Sequence, residues 1–511
     1  MNLRALSVST FAGAFLATSL TAATVQASEA ALASAGEALA YPLVTSGNQI
    51  LDSNGEIVIW QGVNWFGLET SNQAPHGLWA RDYQDMIAQV AELGFNTIRL
   101  PFSIQAVQGT TTTGIDYGSG RNAELQGLTP LQVMDEVIAE AGRHDLMVIL
   151  DNHSLANDGY MYDLWYDQGG YTEQDWIDNW RLIAARYRDT GNVVAFDLKN
   201  EPHGRATWGD GAATDWRLAA ERAGNAILEI APDKLIVVEG IEGPVAGGQV
   251  LDINWWGGNL EGVQDNPVRL TVPNRLVYSA HEYGPEVYAQ PWFGEPNMAQ
   301  ILAERWEAGF GYIHTEQIAP LLIGEFGAKA VDISAVEGKW ITQFAEYLAR
   351  TGISWTFWAW NPNSGDTGGV LTDDWTTVHQ DKMDLLSDLM ASAQRGEPLP
   401  LPAPVIPQPE PDPSESVTIR LRRVSVWDGG SCYVLRIHNQ GDDVLESWRV
   451  RVRVSKGTAV TSRWGVAIRT SGRNLIMSSP TSAALSPGER STGAGLCIDS
   501  SRKPRKLRVV V

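Results

Sequence analysis

The stretch "VVAFDLKNEPHG", residues 193–204, decides how the rest of the chain is read. From Val193 to Leu198 it is β-prone and largely apolar, and it then breaks into Asn200-Glu201-Pro202. Proline fixes φ and has no N–H, so it halts a strand. A buried strand that ends on a carboxylate needs a reason. A parallel barrel supplies one, because its strands carry reactive side chains at their C-terminal ends, facing the loops.

Seven further runs repeat the pattern. They are Ile57–Asn64, Asn96–Pro101, Leu146–Asn152, Leu235–Glu239, Leu276–His281, Leu321–Glu325 and Ser354–Trp358. Between them lie helical segments such as "DYQDMIAQVAELG" (82–94) and "LQVMDEVIAEAGRHD" (131–145). In the first, Met86, Ile87, Val90 and Leu93 form a helical stripe, and Gly94 suits its C-terminal end. Eight strand-helix units predict an α/β domain over 41–395, a (β/α)8 TIM barrel with long loops. A doubly wound open sheet is the rival built from the same elements.

Outward from this domain the composition changes. Residues 396–416, "GEPLPLPAPVIPQPEPDPSES", have proline at nearly every second position, the mark of an extended semi-rigid linker. Residues 417–511 show strand alternation in "VTIRLRRVSVW" and "SWRVRVRV", with turns at "DGG", "NQGDD" and "SPGE". A second, smaller all-β sandwich is expected there. At the start, Arg4 precedes an apolar run from Ala5 to about Leu20 and then small residues up to Val25-Gln26-Ala27. This reads as a signal peptide over 1–27 and a secreted, extracellular protein. Residues 28–40 read as a flexible segment. The only cysteines, Cys432 and Cys497, are expected to pair outside the cytosol.

The net charge of −22 repels nucleic acid and anionic membrane, so a neutral partner fits better. The charge is uneven, with 17 Lys/Arg against 7 Asp/Glu after residue 414. Trp numbers 20, more than structure alone requires, and each indole offers a broad stacking face.

The expected strand tops collect polar residues: Arg99, His153, Asn200 with Glu201, His281 with Tyr283, Glu325, and Trp358 in the eighth run. Glu201 and Glu325 fall on strands four and seven, nearly opposite across a small mouth. Two carboxylates facing one site split acid and nucleophile roles, because their repulsion raises one pKa. Glycoside hydrolysis needs such a pair, and its spacing sets retention or inversion. The spacing of His153 and His281 does not match a zinc helix motif, and no G-x-S-x-G is present.

With "TIRLPF", "FDLKNEP", "HEYG", "LLIGEFG" and "TFWAWNPNSGDTGG" in this order, segment 41–395 resembles the bacterial cellulases of glycoside hydrolase family 5. It is most similar in pattern to the secreted endo-β-1,4-glucanases of the first subfamily. The resemblance implies a retaining enzyme with Glu201 as general acid/base and Glu325 as nucleophile. It implies that Arg99 holds Glu325, that Tyr283 hydrogen-bonds it, and that Asn200 binds a sugar 2-hydroxyl. His153 and His281 would line the cleaving subsite and Trp358 would form its sugar platform. It implies no cofactor and no metal. Lys199 adds a cation beside the Asn-Glu pair, and strand alternation would turn it away from Asn200. Trp65, Trp255 and Trp256 follow strands one and five, where indoles can stack on glucose rings; one of the adjacent pair is expected to be buried.

The C-terminal segment is similar to carbohydrate-binding module family 2. By that likeness Trp448 is a core residue, and Trp427 and Trp464 are exposed cellulose-stacking residues. A third such position falls in "LIMSSPTSAALSPG", which has no aromatic. Together these readings predict a monomeric enzyme acting on polysaccharide, β-1,4-glucan above others. Mannan, mixed-linkage glucan and xyloglucan are the rival substrates, and a non-catalytic glycan-binding barrel is the rival class.

Overall fold

The computed structural model describes residues 39–394 apart from 168, and 417–510 with short interruptions. The expected leader 1–27, the flexible segment but for its last two residues, and the linker 396–416 lie outside the described residues.

A small antiparallel sheet comes first: β1 (Val44–Ser46), β2 (Gln49–Leu51) and β3 (Ile57–Val58). Eight parallel strands then close into a barrel. They are β4 (Gln61–Asn64), β5 (Thr97–Ser103), β6 (Met147–Ser154) and β7 (Val193–Asp197). The circuit continues through β8 (Leu235–Glu239), β9 (Leu276–His281), β10 (Leu321–Phe326) and β11 (Ser354–Phe357), and β11 pairs with β4. Closure removes the open-sheet rival.

Two strand expectations need correction. The run Ile57–Asn64 is divided, with Ile57–Val58 pairing antiparallel to β2 and only Gln61–Asn64 entering the barrel. Asn96 makes the division: its Oδ1 accepts the Gln61 N–H at 2.8 Å and its Nδ2 donates to the Ile59 carbonyl at 2.9 Å. The fourth strand, expected over Val193–Asn200, ends at Asp197, so Leu198–Asn200 lie beyond it.

Period-two alternation sorts the strand residues. Val148 and Leu150, Ile236 and Val238, Tyr278 and Ala280 face outward into the large core shared with the helices. Met147 and Ile149, Leu235 and Val237, Val277 and Leu322 face inward and pack with Leu43, Ile50, Val58 and Trp60, so the first sheet closes the bottom of the barrel. Higher on the same inward faces stand Asp151, Glu239 and, past Ser279, His281. The interior therefore passes from apolar at the bottom to ionisable at the top. Each buried aliphatic side chain contributes about 2 kcal/mol, which helps offset the several kcal/mol that each buried charge costs.

The outer helices start and stop where the sequence signals it. Helix Tyr83–Glu92 is capped by Asp82, which accepts from the Gln84 N–H at 2.9 Å, and buries Met86, Ile87 and Val90. Helix Pro130–Arg143 opens on a reciprocal Thr129–Gln132 capping box.

The C-terminal region forms two antiparallel sheets. One holds β12 (Val417–Trp427), β13 (Gly430–Asn439), β15 (Ala459–Trp464) and β18 (Ala494–Asp499). The other holds β14 (Arg449–Arg453), β16 (Ala467–Ser471), β17 (Asn474–Ser478) and β19 (Val509–Val510). Tyr433, Leu435, Ile437, Leu496 and Ile498 share a core with Val450, Val452 and Trp448. Cys432 and Cys497 face each other across β13 and β18 and form a disulfide. Among the described residues no helix is long and apolar enough to cross a membrane.

Candidate active site

Arg99, an inward residue of β5, is fully buried at the top of the barrel. Its Nη1 donates to Glu325 Oε1 at 2.8 Å and to Asn64 Oδ1 at 2.9 Å. Its Nη2 donates to Asn200 Oδ1 at 2.9 Å and to Glu239 Oε1 at 3.0 Å, and lies 3.2 Å from Asp151 Oδ2. Its Nε donates to Asp197 Oδ2 at 3.0 Å. Burial alone would push the guanidinium pKa down, but the four carboxylates outweigh it and hold the group charged. One arginine thus ties together the ends of five strands.

Glu325 stands at the top of β10. Tyr283 donates to its Oε2 at 2.7 Å while Arg99 holds its Oε1, so both oxygens are fixed. Gly324 makes room for this crowding, since a Cβ there would lie 2.7 Å from Ser279 Oγ and 2.9 Å from His281 Nε2. Glu201 sits two residues beyond Lys199, with its backbone in the left-handed region at φ 50°. His281 Nδ1 lies 2.9 Å from Glu201 Oε1 and 3.5 Å from Glu325 Oε2. One oxygen of each carboxylate lies within 4.8 Å of the other.

The electrostatics follow from this crowding. Burial would push Glu201 up, but the hydrogen bond and charge of His281 outweigh it and hold the carboxyl below its ordinary value. Burial pushes Glu325 up and the Glu201 charge adds to it, against the pull of His281 and Arg99, leaving it above its ordinary value. Burial opposes a charge on His281, yet Glu239, Glu325 and Glu201 raise its pKa well above the usual imidazole range. The two carboxyls and the imidazole therefore titrate as one set.

The pair opens onto a cleft of about 760 Å³, walled by His153, Met161, Trp255, Trp256, Tyr283, Tyr288 and Trp358 among others. Trp358 lies nearly parallel to Phe66 and His153, with ring centroids 5.3 and 5.4 Å away. His153 is steadied by Asp151, 2.7 Å from its Nδ1. Trp256 is 42% exposed and stacks on His203 at 3.7 Å, whereas Trp255 is 9% exposed and presents only part of its ring.

Four residues sit differently from expectation. Trp65 is 0% exposed, and its indole N–H donates to the His76 carbonyl at 2.9 Å; it is core, not a cleft wall. His281 does not line the cleft, being fully buried beneath the two carboxylates. Asn200 is also fully buried, and its Nδ2 is directed at the Met161 sulfur at 3.2 Å, a weak acceptor that a sugar hydroxyl can replace. Lys199 lies past the end of its strand, so alternation does not set its direction; it is buried and its Nζ donates to the Asn200 carbonyl.

Sequence reasoning gave no role to Glu239, Asp197, Asp151 or Asn64, each of which contacts Arg99. The signal was present, since "LIVVE" and "VVAFD" each place an acid at the end of an apolar run. Among the described residues, two groups could offer three ligand atoms to a cation: Glu201, His281 and Glu325, and Asp151, Asp197 and Glu239. In the second, the Arg99 guanidinium already pairs with all three acids. In the first, the oxygens already accept from Arg99, Tyr283 and His281.

In the C-terminal region, Trp427 is 42% and Trp464 37% exposed. Trp427 pairs with Gly430 and Trp464 with Gly495. A Cβ at either glycine would overlap the paired indole ring, so each ring lies across its neighbouring strand. Both project from the sheet face opposite the core residues Tyr433, Leu435, Leu496 and Ile498.

Comparison with known proteins agrees with this geometry. Residues 51–364 match the family model described as cellulase (glycosyl hydrolase family 5), and 417–505 match that of the cellulose binding domain. An endoglucanase of Paenibacillus polymyxa is 48% identical over 348 residues, covering 68% of this chain and 86% of that protein. The major extracellular endoglucanase of Xanthomonas campestris pv. campestris is 44% identical over 471 residues, covering 88% of this chain and 95% of that one. The solved catalytic domain of the major endoglucanase from Xanthomonas campestris pv. campestris superposes with a TM-score of 0.64 at 45% identity, covering 68% of this chain and all of that one.

Proposed function

This chain belongs to the cellulases of glycosyl hydrolase family 5, and from that premise we propose how it cleaves its substrate. It is an endo-1,4-β-glucanase acting on polysaccharide, with a cellulose-binding domain at its C-terminus. Glu325 is the nucleophile and Glu201 the general acid/base of a retaining reaction. The observation that carries this is that one oxygen of each carboxylate lies within 4.8 Å of the other, with His281 Nδ1 in reach of both. Retaining enzymes need about 5–5.5 Å, whereas inverting ones leave about 6.5–9.5 Å for a water.

The neighbours assign the roles. Both oxygens of Glu325 are held, by Arg99 and Tyr283, so the carboxylate is aimed and kept anionic during attack on the anomeric carbon. Glu201 keeps one oxygen free for the glycosidic oxygen. His281 Nδ1 reaches both acids, 2.9 Å from Glu201 Oε1 and 3.5 Å from Glu325 Oε2, so the charge of each is felt by the other. In the first step Glu325 forms a bond to the anomeric carbon while Glu201 protonates the departing sugar oxygen. In the second, Glu201 takes a proton from water, water attacks the same carbon, and the Glu325 ester bond breaks. Trp358 supports the sugar ring at the cleavage point, Asn200 accepts or donates at its 2-hydroxyl, and Trp255 and Trp256 support rings farther along the cleft.

Residues 1–27 direct export, 396–416 join the two domains, and the protein works as a monomer. The test uses carboxymethylcellulose, comparing wild type with Glu325→Ala. Wild type should cut viscosity faster than it releases reducing ends, the sign of internal cleavage, and the variant should do neither. Equal rates in the two would remove Glu325 as nucleophile, and release from mannan alone would move the substrate.

A further inference from the structure

Glu239 ends β8 with both carboxylate oxygens buried, and nothing in the reaction as described uses it. Its Oε2 accepts the backbone N–H of Glu201 at 2.7 Å. Its Oε1 accepts from Arg99 Nη2 at 3.0 Å and faces His281 Nε2 at 3.3 Å. Arg99 and His281 are the two groups that also reach Glu325. We propose that Glu239 is a positioning residue that holds the backbone of the acid/base Glu201 and fixes it in register with the Arg99 that aims the nucleophile. This rests on the roles given above to Glu201 and Glu325.

The backbone at Glu201 needs such a hold. A non-glycine residue at φ 50° is in a sparsely populated conformation, which persists only when its surroundings impose it. Three side chains impose it here. Glu239 takes the Glu201 N–H, His203 Nδ1 lies 2.7 Å from the Glu201 carbonyl oxygen, and Lys199 donates to the Asn200 carbonyl. Gly257 leaves room for the first of these. It lies at φ 68°, and a Cβ there would stand 2.5 Å from Glu239 Oε2.

Charge balance for Arg99 does not explain Glu239. Asp151, Asp197 and Glu325 already pair with that guanidinium. Loss of Glu239 leaves the Glu325 side of the site with its Arg99 and Tyr283 donors, while the Glu201 N–H loses its acceptor. The acid arm should therefore suffer more than the nucleophile arm.

The leaving group separates the two arms. A sugar alkoxide must be protonated as it leaves, whereas 2,4-dinitrophenolate leaves without a proton. The test measures kcat/KM, which reports the first step, for cellotetraose and for 2,4-dinitrophenyl β-cellobioside. Glu239→Gln places an amide N–H against donors, and Gly257→Ala pushes the carboxylate off the Glu201 N–H while keeping every ionisable group. In both, kcat/KM should fall about 100-fold on cellotetraose and less than about 5-fold on the dinitrophenyl glycoside. Glu239→Asp keeps the charge but loses the reach, and should behave like Glu239→Gln. Equal falls on both substrates, no fall on either, or a wild-type Glu239→Asp would each overturn the proposal. Melting curves report folding, and Gly257→Ala carries the test if Glu239→Gln does not fold. Glu325→Ala on the dinitrophenyl glycoside is the control: activity equal to wild type would instead sink the assignment of the nucleophile.

Discussion

The mouth of the barrel and the outer sheet face of the C-terminal domain are the two surfaces we propose to engage a glucan chain, and they are built in opposite ways. At the barrel mouth the key groups are ionisable, buried and bonded to one another, with Arg99 spanning four acids. On the sheet the key groups are two half-exposed indoles lying over glycines. The difference follows from the tasks. Stabilising a developing charge needs dipoles and charges fixed in advance and screened from water. Adsorbing to a flat polymer needs apolar area and little else. The first arrangement fails when one partner is removed, because a buried charge left alone costs about 3–5 kcal/mol. The second should fail by degrees.

That contrast can be broken at either end. The largest effect is expected from Glu325→Ala, which should lower kcat on carboxymethylcellulose by at least about 10⁴-fold. Pull-down on insoluble cellulose should be unchanged in the same preparation. Next comes Cys432→Ser, which removes the cross-strand disulfide of the C-terminal sheet. It should cost that domain about 3 kcal/mol, seen by calorimetry as a lower second transition, with the barrel transition unmoved.

A smaller effect concerns pH. Glu282 is raised to about 7, chiefly by burial, against the indole N–H groups of Trp306, Trp340 and Trp255 and the charge of Arg305. Its folded pKa exceeds the unfolded value, so its stabilisation is full below the unfolded pKa and is lost as pH rises through about 7. Glu282→Gln removes that dependence. The melting temperature of the variant, relative to wild type, should rise between about pH 5 and about pH 8. Adsorption through the indoles, which do not titrate, should stay level over the same range.

The smallest effect is Trp427→Ala, which should weaken retention on cellulose about 10-fold and leave turnover of soluble substrate as it was. If retention does not change, the sheet face is not the adsorbing surface.

Much of this was legible in the sequence because two periodicities carry it. The alternation in "LIVVE" and "VYSAH" places an apolar layer low in the barrel and an ionisable one at its rim. The helical stripe at Met86, Ile87 and Val90 likewise marks a buried face. What the sequence hid was depth. Trp65 follows a strand as Trp358 does, yet the loop 66–82 folds back so that the His76 carbonyl receives its N–H. His281 and Asn200 belong to the site but are fully buried, His281 against the two carboxylates and Asn200 between Arg99 and Met161. Glu239 read as the end of a strand because its partners, Arg99 and the Glu201 N–H, are remote in the chain. The split of Ile57–Asn64 depended on one side chain, Asn96, that no local pattern could supply.

The central claim is that Glu325 forms a covalent bond to the sugar while Glu201 manages the proton. It is tested most directly by incubating the protein with 2,4-dinitrophenyl 2-deoxy-2-fluoro-β-cellobioside and mapping the adduct by peptide mass spectrometry. The account predicts one fluorocellobiosyl group per chain, esterified to Glu325 and released as the β-anomer. A label on another residue, or hydrolysis with no adduct and an α-configured product, would contradict it.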